Sequence, residues 1–60
     1  MKVKFIKTMD FTFEDVEVVG IFDKNTLNKA IEENKVIEII NEGQTEFINS
    51  QYIMYWGQIC

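Results

Sequence analysis

Carboxylates form the densest group of potentially reactive side chains in this sequence, and five of them lie near its start: Asp10, Glu14, Asp15, Glu17 and Asp23. A divalent cation needs several oxygen ligands that converge at about 2.5 Å. The spacing does not match the calcium-loop pattern D-x-[DN]-x-[DN]-G. In a strand, only Asp15 and Glu17 would share a face as neighbours. We therefore expect no metal site and interpret these carboxylates as solvated charges that oppose unwanted strand pairing.

Nucleophilic side chains are present, but nothing in the sequence activates them. Cys60 is the only cysteine, and the chain has no histidine. A catalytic thiolate needs a base, a cation or a helix N-terminus to lower its pKa. Ser50 and the threonines likewise lack a recognisable base or nucleophile elbow. The sequence therefore predicts no enzymatic activity and no cofactor.

Eight aromatic residues are the other chemically distinctive group: Phe5, Phe11, Phe13, Phe22, Phe47, Tyr52, Tyr55 and Trp56. Aromatic sheets can stack on single-stranded nucleic acid, and they also form cores and protein interfaces. The segment 36–60 holds half of these aromatics but only acidic charges, and the chain has no arginine. This distribution favours core and protein-interface roles over nucleic-acid binding.

The size of the chain limits how it can be stabilised. Its 60 residues predict one domain, 1–60, and a domain this short buries only about 60% of its unfolded surface. A single cysteine excludes an intrachain disulfide, and the lack of histidine argues against zinc. Oligomerisation or partner binding is the remaining way to stabilise so short a chain. No long apolar run or signal-peptide pattern occurs, so we expect a cytoplasmic protein without a membrane span.

Hydrophobic periodicity predicts the order β-β-α-β-β. Asp23 suits a helix N-cap, Asn34 suits a left-handed position at the helix end, and Gly43 suits a turn. The sequence predicts an α+β fold in which a four-stranded, mainly antiparallel sheet carries one helix on one face, either β-grasp-like or as a meander. The predicted strands are 2–8, 14–22, 36–41 and 45–57 (interrupted at 49–51), with a turn at 9–12 and a helix over 24–34.

The predicted strands carry large apolar side chains on both faces. Val3 and Phe5 would share one face of the first strand, opposite Ile6. Only one helix is available to cover the sheet, so the opposite face requires a partner. The predicted interface residues on that opposite face are Ile6, Val19, Ile21, Met54 and Trp56. The placement of Met54 and Trp56 there assumes that Ile53 and Tyr55 point toward the helix.

Three segments carry a resemblance to a group of known proteins: "A-I-E-E-N-K", "V-I-E-I-I" and "F-I-N-x-x-x-I-x-Y-W". Together, over residues 27–56, they resemble many small uncharacterised β-rich proteins of low-GC Gram-positive bacteria and their phages. The resemblance implies a source and a size class, not an activity.

The sequence-based hypothesis is a non-enzymatic, dimeric protein-binding module that binds itself or a host protein. In a phage or mobile element such a module would act as an inhibitor or adaptor. The alternative is single-stranded nucleic-acid binding through the aromatic sheet, with Lys2, Lys4 and Lys7 on the phosphates.

Overall fold

Five strands, one α-helix and one 3₁₀ turn make up the computed structural model, which describes residues 1–58. Neighbouring strands are all antiparallel, and the order across the sheet is β4-β3-β2-β1-β5. The elements are β1 (Lys2–Thr8), β2 (Thr12–Val18), α1 (Lys24–Glu32), β3 (Val36–Asn41), β4 (Gln44–Asn49), the 3₁₀ turn (Ser50–Tyr52) and β5 (Ile53–Gln58).

The expected four-stranded sheet is wrong, because the region 45–57 forms two separate strands. β4 ends at Asn49, whose Oδ1 accepts the backbone N–H of Gln51 at 3.2 Å and so caps the 3₁₀ turn. The turn carries the chain to the far edge of the sheet, where β5 pairs with β1. One helix and an antiparallel sheet remain consistent with the α+β class.

The connection between β4 and β5 requires the sheet to curl. In a flat sheet, four strand intervals would separate the two edges by about 19 Å. The four residue steps from Asn49 to Ile53 span at most about 14 Å even when fully extended, and a 3₁₀ turn is shorter still. The turn is held by the Ser50 N–H, which donates to Lys35 O at 3.2 Å, and by Tyr52 O, which accepts from Met9 N at 3.1 Å. The sheet is therefore a partly closed barrel.

The concave side of the curled sheet encloses the core. The α1 helix contributes its fully buried residue, Leu27, while Ile31 packs against the same cluster. Apolar burial of this kind is the main favourable term in folding. The buried apolar residues are Val3, Ile6, Val16, Val18, Leu27, Ile37, Ile39 and Ile48.

A paired irregularity in β1 and β2 changes which side chains face this core. Asp15 has a left-handed backbone with φ 53°, and Lys4 and Asp15 interrupt an otherwise continuous register between β1 and β2. Val3 and Ile6, three residues apart, are consequently both buried. The expectation that Val3 shares a face with Phe5 is wrong, because β1 has a bulge at Lys4, where its register with β5 shifts, and this breaks the period of two.

Strand β2 ends earlier than the pattern predicts, because the chain turns at Gly20, which has φ 77°. The ammonium group of Met1 donates to Val18 O at 2.8 Å and to Ile21 O, and it lies 2.9 Å from a carboxylate oxygen of Glu17. Three acceptors match the three N–H donors of an ammonium group. These contacts tie the residue before β1 to the end of β2 and to the segment that follows it.

The local signals for the turns and the helix are confirmed. Thr8 N donates to Phe11 O at 2.8 Å in the β1–β2 turn. Glu42 and Gly43 both have positive φ, as a two-residue type I′ hairpin requires. Asn34 takes the left-handed conformation with φ 56°, although α1 itself ends at Glu32. Over the described part of the chain, no helix has the length and apolar character needed to cross a membrane.

Candidate protein-binding surface

The five residues predicted as an interface do not lie on one surface. Ile6 is fully buried in the core, while Ile21 and Trp56 are partly buried and pack against it. Val19 and Met54 are exposed. The indole Nε1–H of Trp56 donates to Asn28 Oδ1 on the helix at 3.1 Å. Of the two exposed residues, Met54 is 63% exposed, whereas Val19 is only 37% exposed.

A second irregularity, at Met54 in β5, explains the placement of the C-terminal residues. The register with β1 shifts between the Tyr55 and Ile53 pairs, so Ile53 and Trp56 both pack against the core. Tyr55 lies on the convex side, where its ring meets that of Phe5 edge-on at 5.6 Å between centroids. The assumption that Tyr55 points toward the helix is therefore wrong, because a bulge separates it from Ile53.

Four exposed apolar side chains cluster on the convex side of β3, of β4 and of the segment just after β2. The pairings place Val19 beside Glu38 on one side, with a backbone bond of 2.9 Å, and Phe47 beside Glu38 on the other. Val36 and Ile40 lie two residues to either side of Glu38 on the same face of β3. We call this cluster the convex patch, and its members are Val19, Val36, Ile40 and Phe47.

The exposure of the convex patch is high for residues of these types. Phe47 is 69% exposed and Val36 is 62% exposed, and both lie beside a fully formed core. Three of the four members, Val36, Ile40 and Phe47, are not among the predicted interface residues, although the sequence contains a signal for two of them. Val36 and Ile40 share the strand parity opposite to that of Ile37 and Ile39, so both faces of β3 are apolar.

One acidic group lies within this apolar surface. Glu38 is half-buried at the centre of the convex patch, and among residues 1–58 its carboxylate has no ion-pair partner. The nearby Lys35 instead contacts Glu33, with 3.1 Å between nitrogen and oxygen. A partner that covers this patch must leave Glu38 in contact with water or offer it a hydrogen-bond donor.

A groove continues the convex patch toward the helix. It has a volume of about 550 Å³ and is lined by side chains of β3, α1 and the segment after β2, among them Val19, Ile21, Lys29, Ala30 and Val36. Its apolar residues can accept an apolar side chain from a partner. Its charged residues are of both signs: Lys29, Lys35, Glu33 and Glu38. The groove and the patch share Val19 and Val36, so one partner could contact both.

The edge of β4 beside Phe47 has unpaired backbone groups. The Ser50 N–H bonds to Lys35 O, which makes these two residues a hydrogen-bonded pair at the end of the β3–β4 ladder. Such pairs recur at every second residue of an antiparallel ladder. In the described range, β4 has no neighbour other than β3. The β4 residues whose N–H and C=O groups point away from β3 are therefore Thr45, Phe47 and Asn49.

The carboxylates noted in the sequence do not assemble into a site within residues 1–58, where no three His, Cys, Asp or Glu side chains converge. Asp23 serves as the N-cap of α1, and its Oδ1 accepts the Thr26 backbone N–H at 2.8 Å. This hydrogen bond lowers the pKa of Asp23 below its ordinary value of 3.8. Cys60 lies outside the described residues.

Comparison of the chain with protein-family models, with curated proteins and with solved structures finds no match.

Proposed function

We propose that this chain is a small, non-enzymatic protein-binding module of the cytoplasm, dimeric or bound to a host protein, and that the convex patch is its binding surface. The observation that supports the proposal is the exposure of Val36 and Phe47 on a regular sheet face. Contiguous apolar surface of this kind is typical of protein interfaces. If the chain acts in a phage or mobile element, it would inhibit or adapt the host protein that it binds.

Photo-crosslinking tests this proposal directly. Benzoylphenylalanine replaces Val36 or Ile40 in the patch, and Phe22 in the control, because Phe22 is 87% exposed but lies outside the patch. We expect the two patch positions to crosslink one defined protein, either a second copy of the chain or one host protein. The control should yield weaker or different products. Equal, unselective crosslinking from all three positions, or none from the patch, would reject the proposal.

A second candidate function is supported by the other half of the convex side. The exposed Tyr55 and the half-buried Phe5 form an aromatic pair there, and Lys4 and Lys7 lie on the same strand as Phe5. Stacking on aromatic residues with lysines on the phosphates is how single-stranded nucleic acid is bound. Glu14 is paired with Phe5 in the ladder, and its negative charge opposes the binding of phosphates there.

Fluorescence anisotropy with a labelled oligothymidine distinguishes this second function from the first. Binding should tighten as salt is lowered and weaken in Tyr55→Ala. The absence of binding at low salt would reject this function and leave the first untouched.

A further inference from the structure

We infer that the free edge of β4 pairs with the same edge of a second copy of this chain, antiparallel and centred on Phe47. The inference rests on the proposed function, because it names the partner of that surface. The pairing of the two β4 strands joins two five-stranded sheets into one continuous sheet across a two-fold axis. Two-fold symmetry is the commonest symmetry of homo-oligomers.

The backbone groups of β4 favour this register. Centring the pair on Phe47 places Phe47 opposite its own copy and Thr45 opposite Asn49 of the second copy. These three residues are the ones whose N–H and C=O groups point away from β3. Each resulting pair exchanges two backbone hydrogen bonds, so every free edge group of these residues gains a partner.

The side chains also fit a second copy in this register. The two Phe47 rings meet on the convex side and make the two convex patches continuous, while Glu46 lies opposite Ile48 of the second copy. A register centred on Glu46 would instead place two like charges directly opposite each other, which destabilises an antiparallel pair. The two Glu38 carboxylates would lie three strand intervals apart, about 14 Å, beyond the screening length of about 8 Å at physiological salt.

The other edge of the sheet is less suited to pairing. β5 is interrupted by the register shift at Met54, and bulges are one of the ways in which proteins prevent edge-to-edge association. β4 has no bulge, no proline and no lysine. Its single charge, Glu46, is engaged by Asn41 Nδ2 at 3.1 Å. Of the two edges that the structure describes, β4 is therefore the open one.

The size of the surface sets the expected affinity. A standard interface buries about 800 Å² on each partner, which would be about a fifth of the 4197 Å² that this chain exposes. One strand edge with one exposed aromatic residue buries less than that. We therefore expect a dimer with a micromolar dissociation constant, in exchange with monomer.

The first test uses light scattering and sedimentation from about 1 to about 200 μM, a range that brackets micromolar affinity. Phe47→Lys places two ammonium groups opposite each other and should make the chain monomeric throughout. Phe22→Lys makes the same chemical change at an exposed site away from the edge and should dimerise like the wild type. Circular dichroism confirms that both variants fold.

The second test determines the register by oxidative crosslinking in a Cys60→Ser background. Cα atoms of a hydrogen-bonded antiparallel pair lie about 5.5 Å apart, within the range of a disulfide. Phe47→Cys should therefore give a disulfide-linked dimer. Thr45→Cys should not, because the two Thr45 positions would lie four residues out of register, about 14 Å apart.

The outcomes separate this inference from the proposed function. A dimer that persists in Phe47→Lys, or that crosslinks through Thr45→Cys as fast as through Phe47→Cys, overturns the β4 pairing but leaves a protein-binding patch in place. A chain that stays monomeric at the highest concentration also overturns the pairing. Crosslinking from Val36 and Ile40 to a host protein would then decide the proposed function separately.

Discussion

Trp56 and Asn28 join the edge strand β5 to the helix, through the indole N–H that donates to the amide oxygen at 3.1 Å. The two residues are 28 positions apart in sequence. Asn28 lies one residue after Leu27, the helix residue that enters the core. This bond therefore fixes the β5 edge of the sheet to the helix, which covers the core.

We expect Asn28→Ala to lower the free energy of unfolding by about 0.5–1.5 kcal/mol, because it removes one hydrogen bond from a half-buried indole. Urea unfolding followed by Trp56 fluorescence measures the change. Asn25→Ala is the matched control, since it makes the same change in the same helix and gains the same helix propensity. Equal effects of the two substitutions would contradict a role for the Trp56 bond.

The N-cap gives the protein a pH dependence whose direction follows from its hydrogen bond. The Thr26 N–H lowers the pKa of the folded-state Asp23 below 3.8. The unfolded state therefore binds more protons in this range, so the stabilisation is complete above pH 3.8 and is lost as the pH falls through the folded pKa. We expect Asp23→Asn to reduce the drop in melting temperature between neutral pH and about pH 2, because asparagine caps without titrating.

Asp10→Asn serves as the control for this titration, because Asp10 is exposed in the β1–β2 turn and accepts no hydrogen bond in the described structure. It should leave the acid-induced drop in melting temperature closer to that of the wild type. If both substitutions flatten the pH profile equally, general charge repulsion rather than the helix cap governs the acid response.

The helix could be predicted from sequence because its signals are local. Asp23 caps it, and Leu27 and Ile31 have the spacing of one helix face. The turn at Glu42 and Gly43 was predictable for the same reason. The sheet face that each side chain of β1 and β2 occupies could not be predicted, because such a prediction assumes an unbroken period of two. No residue type marks Asp15 as a left-handed position, since glycine is the usual occupant.

The position of β5 could not be predicted from sequence, for a different reason. The polar run 49–51 does mark an interruption, and the structure places the 3₁₀ turn there. What sends β5 to the opposite edge is tertiary, because the turn is held by Lys35 and Met9, which are distant in sequence. A strand pattern that does not include this turn places Trp56 at the interface, whereas the structure packs it against the core.

The left-handed backbone of Asp15 predicts an unusual order of substitutions. A non-glycine residue is destabilised by about 1–2 kcal/mol in this conformation, and a β-branched residue by more. We expect Asp15→Gly to leave the free energy of unfolding within about 1 kcal/mol of the wild type, because relief of strain offsets the added entropy of the unfolded chain. Asp15→Val should destabilise by clearly more than that.

Glu14 supplies the control for Asp15 because it is the preceding residue of the same strand, exposed and without a positive φ. There the order should reverse, so that Glu14→Val is tolerated better than Glu14→Gly. Chemical denaturation of the four variants gives the comparison. The same order at both positions would show that the conformation at Asp15 does not govern its tolerance.

The Phe5 ring lies directly against Gly57 on the convex side, so that a Cβ atom at residue 57 would overlap the ring. We expect Gly57→Ala to destabilise the fold by about 1–3 kcal/mol through overpacking. Phe5→Ala removes the obstacle, so the double variant should be more stable than the sum of the single effects predicts, with a coupling of about 0.5–3 kcal/mol.

Gly20→Ala completes this experiment, because Gly20 has open space around it but a φ of 77°. Its cost arises from the backbone, so Phe5→Ala should not reduce it. Denaturant unfolding is measured for two double-mutant cycles, one combining Phe5→Ala with Gly57→Ala and the other combining Phe5→Ala with Gly20→Ala. Comparison of the two coupling energies separates steric overlap from backbone strain. If Phe5→Ala rescues neither glycine substitution, the Phe5 ring does not pack over Gly57. The end of β5 is then not fixed against β1 by this contact.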